Sequence, residues 1–105
     1  MNSKFLSMLG LCRRAGAIII GTDLVTKSLP SGKIKLVMYA GDCSANTEKK
    51  ITDKCKFYGT ECLKLTYGGD EIAHAIGKSS TVSVVGVTDE SFSRELNLLN
   101  ATETR

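Results

Sequence analysis

A three-layer α/β/α sandwich around a central, mixed four-stranded sheet is the fold this sequence predicts. Short apolar runs that suit buried strands alternate with stretches of helical periodicity, in the order α-β-α-β-α-β-α-β-α. Glycine, proline or a capping residue punctuates nearly every boundary. The 105 residues are 42% hydrophobic with a single Pro, which suits one packed domain over residues 1–105, and no linker or repeat divides it.

Ser3 is placed to cap a first helix, in which Phe5, Met8, Leu9 and Cys12 follow the i, i+3, i+4, i+7 rule and Gly16 brings the stop. Ala17–Ile20 reads as a short buried strand. Past Gly21, Thr22 is expected to cap a helix through Leu24, Val25 and Ser28, ended by Pro30 and Ser31-Gly32. Ile34–Ala40 is the clearest strand, apolar enough to be covered on both faces.

Ser44, Asn46 or Thr47 can cap the third helix, whose inner face is Ile51, Cys55 and Tyr58 and whose terminator is Gly59. Glu61–Leu65 is a strand. After the Gly68-Gly69 loop, Asp70 is expected to cap a short helix closed by Gly77. Thr81–Val87 is the last strand, and Asp89 caps a final helix bearing Phe92, Leu96 and Leu99. The polar tail Asn100–Arg105 is expected to fray.

Several function classes fall away. No apolar run approaches the ~20 residues of a membrane span, so no membrane partner is expected. Arg13-Arg14 interrupt the N-terminal apolar stretch, which argues against a signal peptide and for a cytoplasmic protein. The four cysteines form no C-x-x-C pair and only one His, His74, could join them, so neither metal nor cofactor is expected. Cys12 and Cys55 fall on apolar helix faces, where a free thiol behaves as a small hydrophobe.

Catalytic candidates are thin, and no catalytic residue is assigned. His74 has no neighbouring Cys or Ser with which to form a dyad. Asp42 follows a strand's carboxyl end, where open α/β sheets keep catalytic groups, yet Asp42-Cys43-Ser44 equally supplies a turn and caps. Tyr67-Gly68-Gly69-Asp70 lacks the G-x-x-x-x-G-K-[ST] phosphate cradle.

The cations say more. The net charge of +3 is compatible with a nucleic-acid partner without demanding one. Lys49, Lys50, Lys54 and Lys56 read equally well as a solvated helix face, because Glu48 and Asp53 are interleaved among them. Lys27, Lys33 and Lys78 sit at loop or helix ends, where a side chain reaches phosphate without displacing the core. The stretch IIIGTDLVTK over 18–27 runs from strand through glycine to helix start, an arrangement that offers backbone N–H groups to an anion. Against a free anion there, the Asp23 carboxylate is expected to compete for the same groups.

Ala15-Gly16 with Ile19, Gly21 and Lys27, then LVMYAGDCSANTEKKI and HAIGK, resemble the kink-turn RNA-binding ribosomal-protein superfamily of the archaeal "L-seven-Ae" type. The stretch AGDCSANTEKKITDKC is similar to its small bacterial YlxQ-like branch, with the pattern A-x-D-A-S-x-N-T-x-K-K. The resemblance runs from Phe5 to Asp89 and implies an α/β/α sandwich, in agreement with the independent reading of the elements.

It further implies a non-catalytic, ribosome-associated RNA binder, monomeric when free. Its G-x-N-E-x-x-K segment, which reads sheared G·A pairs, corresponds here to Gly21, Asp23, Leu24 and Lys27. Gly21 permits close approach and Lys27 can meet a phosphate, while Thr22 or Asp23 can accept from a guanine. Asp23 in place of Asn loses an amide donor, and Leu24 in place of Glu loses an acceptor. Bidentate base contacts are worth ~1–3 kcal/mol each, so the two changes would weaken specific recognition by roughly ten- to several-hundred-fold. The family's apolar loop before the last strand is here Lys78-Ser79-Ser80-Thr81, and a lysine usual before the fourth helix is replaced within Gly68-Gly69-Asp70. The expected RNA-binding set is therefore Gly21, Thr22, Asp23, Leu24, Lys27, Lys33, Lys78 and Ser79. A protein-interaction module of the same fold, with Leu24 as an exposed contact, is the alternative.

Overall fold

The computed structural model describes residues 3–103. In chain order they form α1 (Lys4–Arg14), β1 (Ile18–Ile20), α2 (Thr22–Ser28), a 3-10 turn (Leu29–Ser31), β2 (Leu36–Tyr39) and α3 (Ala45–Tyr58). There follow β3 (Glu61–Lys64), α4 (Gly69–Ala75), β4 (Val84–Val87) and α5 (Glu90–Glu103). The strands lie in the order β1-β4-β2-β3. β4 is antiparallel to both β1 and β2, and β2 is parallel to β3, so the sheet is mixed.

Alternation along the strands builds a core on each face. Leu36, Met38, Val85 and Val87 point to one side and pack with Phe5, Leu9 and Cys12 of α1, Ile72 of α4 and Leu96 of α5. Val37, Tyr39 and Val84 point to the other and pack with Val25 of α2, Leu29, and Ile51 and Cys55 of α3. The predicted sandwich is the observed one. Full burial of Val25, worth about 1.5–3 kcal/mol, pins α2 against the sheet.

The caps follow local chemistry. Ser3 and Ser44 accept the N–H groups of Leu6 and Thr47 at 3.2 and 3.1 Å, and Asp89 accepts that of Phe92 at 2.9 Å. Two expected caps are corrected. α2 is capped by Gly21 rather than Thr22, because the Gly21 backbone already turns at φ 105 and its carbonyl accepts the Val25 N–H at 3.0 Å. α4 begins at Gly69, so Asp70 lies inside the helix, and Asp42 and Glu71 bond the backbone at its start instead.

Tyr58 is not an inner-face residue. It stands at the end of α3 and is 39% exposed, beside Phe57. The tail also differs from expectation, since α5 continues through Glu103, with the Thr102 hydroxyl donating to the Leu99 carbonyl at 3.0 Å. Ala101 and Glu103 are good helix formers that let the last turn continue. Thr104 and Arg105 lie outside the described residues.

Strand directions decide what meets at each end of the sheet. β1, β2 and β3 run together and β4 runs against them. Gly21, the Ala40–Asp42 turn, the Leu65–Gly69 segment and the Val82–Ser83 entry to β4 therefore share one end.

Candidate nucleic-acid interface

Gly21 is the hinge of this end. Its φ of 105 and ψ of 145 belong to a backbone region that side chains rarely enter, and a Cβ added there would meet nothing within 4 Å. The glycine is thus required by the turn, and the same turn leaves the backbone open to approach. Its N–H donates to the Val84 carbonyl at 2.9 Å, tying the start of α2 to the start of β4.

On α2, Val25 faces the core while Asp23, Leu24 and Lys27 face outward. Leu24 is 58% exposed, a large apolar side chain at the rim of a polar surface. Thr22 is half-buried, and its carbonyl accepts the Thr26 hydroxyl at 3.0 Å. Asp23 departs from the expected competition for helix N–H groups. The N-cap of α2 is a glycine with no side chain to offer, and the Asp23 carboxylate reaches Lys50 on α3 at 3.7 Å. With β1 and β2 both antiparallel to β4, α2 and α3 run side by side in the same direction on one face of the sheet, which brings the two residues together.

The loop before β4 arrives at the same end. Gly77 and Lys78 close α4 by donating to the carbonyls of His74 at 3.3 Å and Ala73 at 2.8 Å. Lys78, Ser79, Ser80 and Thr81 are exposed, and the chain then returns along α4, with the Val82 N–H donating to the Gly69 carbonyl at 3.1 Å. A Cβ on Gly69 would collide with the Thr81 hydroxyl oxygen. Glycine at the start of α4 is thus the price of drawing Thr81 and Val82 in close, and it explains why this chain carries no larger residue there.

Lys33 does not join the group. It lies between the 3-10 turn and β2, at the opposite end of the sheet from Gly21, with its N–H donating to the Ser31 hydroxyl at 3.2 Å. Its place near a strand end is as expected, but the strand end is the wrong one. Gly21, Thr22, Asp23 and Leu24 share one end with the Thr81–Ser83 segment, and Lys27 stands one turn farther along α2. Lys78 and Ser79 lead into that segment from the far end of α4.

Three features escaped the sequence. Lys50 is a partner of α2, a relation set by helix packing and invisible in the spacing of charges on α3. Lys49 keeps to its own helix and pairs with Asp53 at 3.0 Å, as i, i+4 spacing would suggest. Asp42 Oδ1 accepts the Gly69 N–H at 2.9 Å across the tertiary fold. Glu48 accepts the Tyr39 hydroxyl at 3.1 Å and pairs with Lys64 at 3.6 Å.

Burial, with the adjacent Glu48 carboxylate, pushes the Tyr39 hydroxyl up to about 12. Burial likewise raises the Cys12 thiol to about 11, and Asp89 adds to it. These are inert groups in the packed core, not activated nucleophiles. Among the described residues, no three His, Cys, Asp or Glu side chains converge on a metal-sized site.

Comparison with known proteins gives this geometry relatives. Residues 3–97 match the profile of the "Ribosomal protein L7Ae/L30e/S12e/Gadd45 family". The chain is similar to the RNA-binding protein YlxQ of Bacillus subtilis (strain 168), 39% identical over 93 residues that span 89% of this chain and 91% of that protein. It is also similar to the large ribosomal subunit protein eL30 of Sulfolobus acidocaldarius, 29% identical over 99 residues, spanning 94% and 95% of the two chains. Among solved structures, a protein from Bacillus halodurans C superposes with a TM-score of 0.88 at 36% identity, covering 95% of this chain and 99% of that one.

Proposed function

The chain belongs to the ribosomal protein L7Ae/L30e/S12e/Gadd45 family, and from that membership we propose that it is a non-catalytic RNA-binding protein. Its binding edge is the end of the sheet where α2 begins. One observation carries the reading: Gly21 opens the backbone to approach while Leu24 and Lys27 stand outward from the same helix. The similarity to proteins named as RNA-binding and as a ribosomal-subunit component supports RNA as the ligand and the ribosome as its setting.

The residues proposed to touch RNA are Gly21, Thr22, Asp23, Leu24 and Lys27, with Lys78 and Ser79 on the flanking loop. Lys27 and Lys78 meet phosphates and so contribute affinity without sequence preference. The Gly21-Thr22 edge approaches the bases of a kinked, structured RNA. Asp23, 3.7 Å from Lys50 and exposed, can be an acceptor for a guanine amino or imino group. Lys33 leaves the set because it faces the other end of the sheet.

The test is titration against a kink-turn RNA and an unkinked duplex at two salt concentrations. Tighter binding to the kinked RNA, with the preference kept at the higher salt, is expected. Equal binding to both with a steep salt slope reduces the protein to a backbone binder, and no binding even at low salt overturns the proposal.

A further inference from the structure

We propose that the outer flank of α2 and α3 is a second RNA contact, which takes a single strand extending from the RNA held at Gly21 and stacks one of its bases on Phe57. The inference rests on the reading that the chain binds RNA at the α2 end. Phe57 is 79% exposed on the surface of α3. An aromatic ring so open on a helix surface contributes nothing to the core it stands beside. Tyr58 packs against it edge-on, with ring centroids 4.9 Å apart and planes at 87°, which sets the orientation of the pair.

What surrounds Phe57 selects the occupant. Lys50, Lys54 and Phe57 are spaced i, i+4, i+7, so they form one stripe down α3. Asp23 and Lys27 are one turn apart on α2, which runs beside α3 in the same direction. The Asp23–Lys50 contact at 3.7 Å is the rung where the two helices meet. Lys27 and Lys54 each lie one turn beyond that rung, and Phe57 lies roughly one turn farther along α3. The flank therefore begins at Lys27, passes Lys50 and Lys54, and ends on an open ring.

Charge argues against an ordinary apolar protein contact. Asp23 is matched by Lys50, and Asp53 is drawn to Lys49 at 3.0 Å. A positively charged track ending in an aromatic platform is the chemistry of single-stranded nucleic-acid binding, in which lysines follow the phosphates and rings accept the bases of any sequence. The strip is also continuous with the proposed α2 contact, so a strand leaving that site meets Lys54 before Phe57.

The test uses a kink-turn RNA with and without a short oligoadenylate tail at either end, the tail bearing 2-aminopurine, and the free oligoadenylate in parallel. One of the two tails should tighten binding by about tenfold and have its fluorescence quenched by stacking. Phe57→Ala should erase both effects while leaving the affinity for the tailless RNA unchanged, and Phe57→Trp should retain them. Because Phe57 is so exposed, these variants leave the core intact. If the tailless RNA binds and neither tail adds anything, the platform is overturned while the proposed function stands. If Phe57→Leu supports the gain as well as the parent does, the contact is merely apolar, of the kind a protein partner makes, and stacking is overturned. If the kinked RNA fails to bind, the proposed function falls; quenching of free oligoadenylate by the parent but not by Phe57→Ala would still uphold the platform, and no quenching there overturns it.

Discussion

Asp42 Oδ1 accepts the backbone N–H of Gly69 at 2.9 Å, so a residue at the end of β2 caps a helix that begins 27 positions later. The bond fastens together the two turns that flank the candidate interface. It also decides between two readings of Asp42, since a carboxylate committed to a helix start is a structural cap. Glu71 holds the adjacent Gly68 N–H at 3.0 Å, so the two acidic side chains share the start of α4.

Asp42→Ala should therefore cost stability and leave binding intact. Loss of a capping acceptor is worth about 0.5–2 kcal/mol, and this one is partly buried. Urea denaturation should show a lower midpoint with an unchanged slope. Asp42→Asn should recover most of the loss, because its amide oxygen can accept the same bond. A loss of RNA affinity at unchanged stability would mean that Asp42 touches the ligand.

Lys27 and Lys33 are a matched pair of probes. Both are exposed lysines near helix or strand ends, but only Lys27 lies on the helix that starts at Gly21. Lys27→Ala should weaken binding to kinked and duplex RNA alike and flatten the salt dependence by about 0.7–0.9, one phosphate contact. Lys33→Ala should change neither. Equal effects from the two variants in a salt titration would dissolve the assignment of the interface to one end of the sheet.

The two lysines also mark how far the sequence could be read. Among the described residues, periodicity and punctuation located the five α-helices and four strands, because each apolar face has a single core to enter and Gly16, Gly59 and Gly77 enforce the stops. Local rules likewise found Ser3, Ser44 and Asp89, whose partners are only three residues away. Relations that depend on topology were closed to them. Lys33 is near a strand end in the sequence, but which end of the sheet that is depends on strand direction. The Asp23–Lys50 and Asp42–Gly69 contacts link residues brought together only by packing. The core residue Tyr39 and the exposed Phe57 show the same limit, for aromatic identity alone cannot say which ring is buried.

Alkaline pH should lower the stability of the protein in two recognisable stages. The Cys12 thiol is raised from 9.0 to about 11, chiefly by burial, and the Tyr39 hydroxyl from 10.0 to about 12, by burial and then by Glu48. In both cases the folded group keeps a proton that the unfolded group has already lost. Their contribution is thus complete below the unfolded values and is lost as pH rises toward the folded ones. Denaturation midpoints should fall from about pH 9 upward. Cys12→Ala should flatten the earlier part of that fall and Tyr39→Phe the later part. An undiminished slope in both variants would place the alkaline instability elsewhere.

The sharpest test of recognition lies in Asp23 and Leu24. Both side chains are exposed, so changing them disturbs little of the fold. Asp23→Asn removes a negative charge from the RNA-facing edge, supplies an amide donor and releases Lys50 to meet a phosphate. Leu24→Glu supplies a carboxylate acceptor for a guanine edge, at the cost of a charge near the phosphates. If kinked RNA is read here, the double variant should favour it over the unkinked duplex more strongly than the parent does. Each bidentate contact is worth ~1–3 kcal/mol, about five- to 150-fold, so the two together should raise the preference by at least about thirtyfold. Asp23→Asn alone should steepen the salt dependence, since Lys50 then adds a phosphate contact. Competition between the kinked RNA and the duplex for each variant measures both effects. If the double variant binds kinked RNA no more selectively than the parent, bases are not read at this helix, and Leu24 is better understood as an apolar contact for a protein.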